Sequence, residues 1–323
     1  LSFYSERISM KHIFIINPVA GKGKIQYDII KKIDDTYKNK NVEYEIYITK
    51  FKGDAKNFIV SRCDENIPCI FFACGGDGTL HEVINAVYPY KHAVVGHIPC
   101  GTGNDFVKNF ENLSNFNDID AQINGESSYI DLIKVKDKFA VSVCNIGIDA
   151  DAAFNMSRFK KIPFIKGSTC YILSVLYCLL KRIGKNFDME FDNCDRLKGK
   201  FLLCVIANGN SYGGGYKCAP LADISDGILD ICLIKKVSRL KILKLMSIYK
   251  EGNHLINDDI KKYVIYRKHR KVTIRGNEPI NLCLDGEKYV YDELDFEIES
   301  NALKFWIPFG SKICSVECLE AGN

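Results

Sequence analysis

The sequence predicts an α/β N-terminal domain with a doubly wound parallel sheet, followed by a C-terminal antiparallel β-sandwich domain. Three observations carry this. A chain of 323 residues exceeds the usual single-domain size, so about two domains are expected. From Lys11 to about Phe110 the pattern strand, loop, helix repeats, which means parallel strands with helices on both faces. After the polar stretch Asn112–Ser128 the hydrophobic period becomes two, the mark of antiparallel strands. The boundaries expected are 10–128 for the first domain, 129–310 for the second, and 311–323 for a tail packing back on the first.

The apolar run Ile13–Ile16 reads as the first strand, and Met10-Lys11-His12 before it as the natural start, so residues 1–9 stay outside the fold reading. That strand enters Asn17-Pro18-Val19-Ala20-Gly21-Lys22-Gly23-Lys24, a glycine loop with two lysines. Ile25, Ile29, Ile33 and Tyr37 then share one face of a helix, Val42–Ile48 alternates as a strand, and Asp54–Cys63 carries helical spacing. Ile70–Cys74 is continuously apolar between Pro68 and Gly75, which suits a strand covered on both faces.

The stretch that follows, GGDGTLHEVINAV, is the centre of the chain. Gly75, Gly76 and Gly78 bare the backbone; Thr79 and Glu82 have the spacing of a capping box; Leu80, Val83, Ile84 and Val87 form a helical stripe. Strand, glycine turn and helix N-terminus together make an anion site. Asp77 is out of place there unless a divalent cation or proton chemistry explains it, so Mg²⁺ is expected. The same motif also suits a tight connection that binds nothing, and no Walker A pattern is present at this loop. A third loop, Pro99-Cys100-Gly101-Thr102-Gly103-Asn104-Asp105-Phe106, follows the strand Ala93–Ile98. Thr102 and Asn104 offer neutral hydrogen bonds there, although Asn-Asp is also a common helix cap.

In the second domain, strands are expected at Tyr129–Lys136, Phe139–Ile148, Phe187–Phe191, Phe201–Ala207, Ile228–Leu233, Tyr263–Tyr266, Val272–Arg275, Ile280–Leu284, Phe296–Glu299 and Leu303–Ile307. Two helices, Ser168–Arg182 and Arg239–Tyr249, interrupt them; the second sets Leu240, Leu243, Met246 and Ile248 among Lys241, Lys244 and Lys250. Such helices either cover the sandwich or face a membrane.

Composition narrows the function. A net charge of +4 is too balanced to argue for nucleic acid, yet it permits a basic patch against an anionic membrane. Fourteen cysteines without a C-x-x-C pair, several inside apolar strands, read as reduced thiols of a cytoplasmic protein. The longest apolar run, Cys170–Leu180, falls short of the ~20 residues of a membrane span.

By position and order, NPVAGKGK, GGDGTLHEVINAV, IPCGTGNDF, the segment Asn208 to Asp230 and the stretch Leu284-Asp285-Gly286-Glu287 resemble the diacylglycerol-kinase-like lipid kinases, over nearly the whole chain from Met10. The resemblance implies ATP- and Mg²⁺-dependent transfer of a γ-phosphoryl group to a lipid hydroxyl, most simply diacylglycerol to phosphatidic acid, in a cleft between the two domains. It implies a nucleotide site built by Asn17, Lys22, Gly76, Asp77, Gly78, Thr79, Glu82, Thr102, Asn104 and Lys108, where Lys108 stands in for the family's arginine. It implies Glu287 as the base, with Asp285 and Asp77 beside it in the catalytic set, and a structural metal at Asp223, Asp226 and the backbone of Ile228, linked inward by Asp131. Asp285-Gly286 also suits a type I′ hairpin turn, and Asp223 and Asp226 suit turn and cap positions. The enzyme is then expected in the cytoplasm at the inner face of the membrane, as a homodimer. Two other readings are an NAD kinase-like ribose kinase, which shares GGDGT, and a catalytically silent binder of nucleotide or lipid.

Overall fold

The computed structural model describes residues 10–23, 25–101, 103–160, 168–181 and 183–314. The chain forms two compact units, one from the residues up to Asp131 together with Asn301–Cys314, the other from Leu132–Ser300.

In the first unit, β1 (Lys11–Ile16), β2 (Tyr44–Ile48), β3 (Cys69–Gly75) and β4 (Ala93–Pro99) make a parallel sheet in the order β4-β3-β1-β2. The end of β13 (Glu287–Ile307) adds to it, Phe305 pairing with Val95 in parallel. Helix α1 (Ile25–Tyr37) buries Ile29, Ile33 and Tyr37 against Phe14, Phe72 and Trp306 on one face of the sheet. Ile13, Ile15, Phe71 and Ala73, on the other face, are equally buried, so the sheet is covered on both sides as its unbroken apolar strands require. Helices α2 (Asp54–Cys63) and α3 (Asp77–Val87) complete the repeat.

The stretch 112–128, read as a polar boundary, is ordered differently. It holds a 3-10 turn at Leu113–Asn117 and a short helix, α4 (Ile119–Ile123), whose N-cap Asp118 accepts from the N–H groups of Asp120 and Ala121. Phe116, Ile119 and Gln122 are buried, and the indole of Trp306 donates to the Gln122 carbonyl at 2.7 Å. Three apolar or anchoring positions among polar neighbours are too few to show a period.

The second unit is antiparallel. Its strands are β6 (Lys138–Ala140), β7 (Val143–Gly147), β8 (Lys185–Phe191), β9 (Arg196–Ala207), β10 (Leu229–Lys235), β11 (Val264–His269), β12 (Lys271–Leu284) and most of β13, while β5 (Glu126–Val135) leads in and pairs with β6 and β13. β7 and β8 each pair with both β9 and β12, at opposite ends of those longer strands. The expected strand Phe139–Ile148 is broken, because the N–H groups of Val141, Ser142 and Val143 are given to the Asp285 carboxylate. Val272–Arg275 and Ile280–Leu284 are one strand with a register shift at Pro279, which has no N–H to give the ladder. One helix was not expected: α5 (Ile148–Lys160), whose buried Ala150 and Ala152 are too small to announce a face. Helices α6 (Ser168–Leu180) and α7 (Arg239–Lys250) lie where the sequence placed them, and Arg182 lies outside the described residues. They set Val175, Leu179, Ile242 and Leu245 against Leu203, Val205 and Ile234, while Ile231, Ile274, Leu282 and Phe296 fill a separate core between the strands.

All thirteen cysteines among the described residues are free thiols. No described helix is long and apolar enough to cross a membrane.

Candidate functional site

Because β4, β3 and β1 are parallel neighbours, the loops that leave their carboxyl ends stand side by side. Asn17, at the end of β1, donates its Nδ2 to the Thr79 hydroxyl at 3.0 Å and receives the Val19 N–H on its Oδ1 at 3.1 Å. Helix α3 starts at Asp77 with Gly76 as its N-cap. The capping box is therefore not formed: Thr79 is already inside the helix, and Glu82 instead accepts the N–H of Ala55, at the start of α2, at 3.0 Å. A helix whose N-cap is Gly76 instead of Thr79, three residues earlier than expected, shifts both side chains past the cap.

Asp77 is the centre of this arrangement. Its Oδ1 and Oδ2 accept the Asp105 N–H at 2.9 and 3.1 Å, and Oδ1 also takes the Phe106 N–H at 3.3 Å. A carboxylate at the N-terminus of α3 is thus explained by backbone donors of the neighbouring loop, a third possibility beside metal and proton chemistry. Asn104, in the left-handed region at φ 45°, folds the loop by accepting from the Gly101 N–H at 3.0 Å and donating to its carbonyl at 2.8 Å. A Cβ on Gly101 would lie 2.4 Å from the Gly76 Cα, so the two loops touch through bare backbone. Lys108 pairs with the buried Asp105 at 2.5 Å. Lys22 lies in the 3-10 turn Ala20–Gly23, Gly78 in the first turn of α3, and Thr102 outside the described residues. The loops therefore bring together Asn17, Gly76, Asp77, Thr79 and Asn104, while Glu82 turns toward α2. Asp131, 1% exposed, accepts the Asn301 N–H at 2.7 Å.

In the second unit Asp285 and Gly286 both have positive φ, 46° and 92°, and Leu284 pairs with Glu287, which is a two-residue type I′ hairpin. The Asp285 carboxylate accepts three N–H groups, from Val141 at 2.7 Å, Val143 at 3.0 Å and Ser142 at 3.1 Å. It anchors the turn, and Glu287 follows it half-buried. Asp223 accepts from the N–H and hydroxyl of Ser225, and Asp226 from the N–H of Ile228. Among the described residues no three His, Cys, Asp or Glu side chains are grouped so as to hold a metal ion.

This unit also holds an apolar cavity of about 70 Å³ that was not expected, walled by Tyr171 and Val175 of α6, Ile242 and Leu245 of α7, and Leu203. Its one acid, Asp149, accepts from Tyr171 at 3.0 Å and from Tyr212. Burial pushes that carboxyl up to about 6, against the Tyr171 hydrogen bond. The Cys283 thiol, on β12, is raised to about 12 chiefly by burial. The cavity's lining comes from several separate elements, and the lone acid Asp149, two residues past the strand Val143–Gly147, shows no period that would have announced it.

Residues 11–135 match the model of the diacylglycerol kinase catalytic domain, and 142–306 that of the YegS C-terminal NAD kinase beta sandwich-like domain. A diacylglycerol kinase of Bacillus subtilis (strain 168) is 26% identical over 276 residues, covering 84% of this chain and 88% of that one. One from Staphylococcus carnosus (strain TM300) is 26% identical over 278 residues, covering 84% and 87%. A crystal structure of a diacylglycerol kinase from Bacillus anthracis str. Sterne superposes with a TM-score of 0.66 at 19% identity, covering 92% of this chain and 96% of that one.

Proposed function

Since the chain belongs to the family that joins a diacylglycerol kinase catalytic domain to a YegS-type β-sandwich domain, we propose that it transfers the γ-phosphoryl group of ATP to a lipid hydroxyl, diacylglycerol first among the candidates. The observation that supports the lipid reading is the apolar cavity between α6, α7 and Leu203, with the Asp149 carboxylate in its wall. An alkyl chain would find apolar walls there in Val175, Leu203, Ile242 and Leu245, with Asp149 as the one acid lining the space.

Each unit then has its own task. In the first, the N-terminus of α3 and the loops held by Asp77, Asn17 and Asn104 bind the phosphates by helix dipole and backbone. Mg²⁺ arriving with the nucleotide would neutralise charge on the phosphate oxygens. In the second, Glu287 accepts the proton of the acceptor hydroxyl as its oxygen bonds to the γ-phosphorus and the bond to the ADP oxygen breaks. Asp285, tied to three N–H groups, sets the position of the turn that carries Glu287.

The same two helices support contact with a membrane. α6 exposes Ile172, Leu176 and Leu180 at four-residue spacing, and α7 exposes Leu240 and Leu243 next to Lys241 and Lys244, while their other faces wall the cavity. Such a surface suits the head-group region of an anionic bilayer, from which an acceptor lipid enters. The test is γ-labelled ATP with anionic vesicles containing diacylglycerol, and with NAD in a parallel reaction. Labelled phosphatidic acid is the expected product. Labelled NADP, or no labelled lipid with any vesicle composition, overturns the proposal.

A further inference from the structure

The turn Leu221–Asp230 carries three acids, and the expected structural metal rests on two of them, Asp223 and Asp226. Asp223 directs its Oδ1 onto Ser225, at 2.9 Å from the N–H and 2.8 Å from the hydroxyl. Asp226 spends one oxygen on the Ile228 N–H at 3.0 Å. What remains is the side of the turn facing β11, where the Asp226 Oδ2 and the fully buried Asp230 lie within reach of one cation.

Lys268 supplies it. In the ladder of β10 and β11 it is the direct partner of Asp230. Its Nζ stands 3.3 Å from the Asp226 Oδ2, 3.5 Å from the Asp230 Oδ1 and 3.1 Å from the Leu221 carbonyl oxygen. Tyr266 adds a hydrogen bond to the Asp230 Oδ1 at 2.7 Å. A second cation is close: the Arg270 guanidinium, bonded to Ser300, lies 3.6 Å from where a Cβ on Gly227 would be.

Two carboxylate oxygens and a carbonyl oxygen are a hard-oxygen set of the kind a divalent ion takes, and here they converge on an ammonium. A divalent ion at that point would share it with Lys268 and face Arg270 as well. Expelling the lysine would leave Asp230 buried without its charge partner unless the ion reached it too. The residues of this turn do not fit a divalent metal. We infer that Lys268 is the resident cation of the turn, holding Leu221, Asp226 and Asp230 together by its own charge, so that the fold of the second unit needs no structural Mg²⁺.

Thermal unfolding of the full chain without nucleotide, in EDTA and in millimolar MgCl₂, tests this apart from any activity. Ligand binding to the folded state alone raises the melting temperature, so a metal site in the turn would show as a Mg²⁺-dependent shift lost in Asp226→Asn. The expected result is that wild type and Asp226→Asn respond to Mg²⁺ alike, within about 1 °C. Lys268→Met should melt several degrees lower and recover part of the loss in Mg²⁺, while Lys268→Arg stays near wild type. A Mg²⁺ shift in wild type that exceeds the one in Asp226→Asn overturns the inference, and that comparison stands even where Lys268→Met fails to fold. A folded Lys268→Met that melts with wild type overturns it as well.

Discussion

The carboxylate of Asp77 and the backbone N–H of Asp105 meet at 2.9 Å, joining the glycine loop after β3 to the loop after β4. Hydrogen bonds to a charged acceptor contribute about 1.5–3 kcal/mol each, more than neutral ones. Asp77→Asn keeps one acceptor oxygen and places an NH₂ group where the other was, facing donors. We expect it to stay folded, lose about 1–3 kcal/mol of stability, and raise the KM for ATP together with a sharp fall in kcat. Chemical denaturation and steady-state kinetics measure both. Normal activity with normal stability would remove Asp77 from the site.

For Glu287 the proposed role is proton acceptance from the attacking hydroxyl. A general base is worth about 10²–10⁴-fold in rate, so Glu287→Gln should cut kcat by that much and leave the KM for ATP nearly unchanged. Its neighbour gives the contrast: Asp285→Asn disturbs three backbone hydrogen bonds and should reduce stability as well as rate. A Glu287→Gln enzyme with near-normal kcat leaves only the hairpin role for the turn.

Asp149 makes a pH prediction. Its carboxyl rises from 3.8 to about 6 on folding because burial disfavours the charged form. The folded state therefore holds the proton more tightly than the unfolded one. The associated stabilisation is complete below about pH 3.8 and is lost as the pH climbs through about 6. That rise corresponds to roughly 3 kcal/mol. Asp230, raised to about 7 by burial, titrates in an overlapping window, so only the difference between wild type and Asp149→Asn isolates Asp149. Unfolding free energies across this range should fall less steeply in the variant, by on the order of 3 kcal/mol in total. Parallel profiles for the two proteins would refute the assignment.

What the sequence made legible was local. Ile70–Cys74 followed by Gly75 and a helical stripe from Leu80 to Val87 has one reading, because period, turn and helix agree. The three glycine loops follow from it, since parallel strands put their carboxyl ends together. Contacts between residues far apart in sequence were not legible. The acid at position 77 showed itself as an anomaly, but its partner Asp105 is 28 residues on and offers only a backbone N–H, which every residue has. Lys268 looks like any strand lysine until β11 sets it opposite Asp230. The cavity depends on Tyr171, Tyr212 and Ile242 meeting across three separate elements, and Asp149 gave no period to follow. Helix α5 stayed hidden for a related reason, since its buried positions include alanines.

The first unit is not continuous in the chain: Phe305 and Trp306, which complete its sheet and core, come after all of Leu132–Ser300. On the ribosome, where domains fold as their segments emerge, the second unit has its whole sequence before the first has its last strand. Residues 10–131 must wait with one sheet edge and one core position open. Chaperone demand during synthesis should concentrate in that interval, and Trp306 is the chain's single tryptophan. Its fluorescence therefore times the moment at which the N-terminal half of the molecule finally closes.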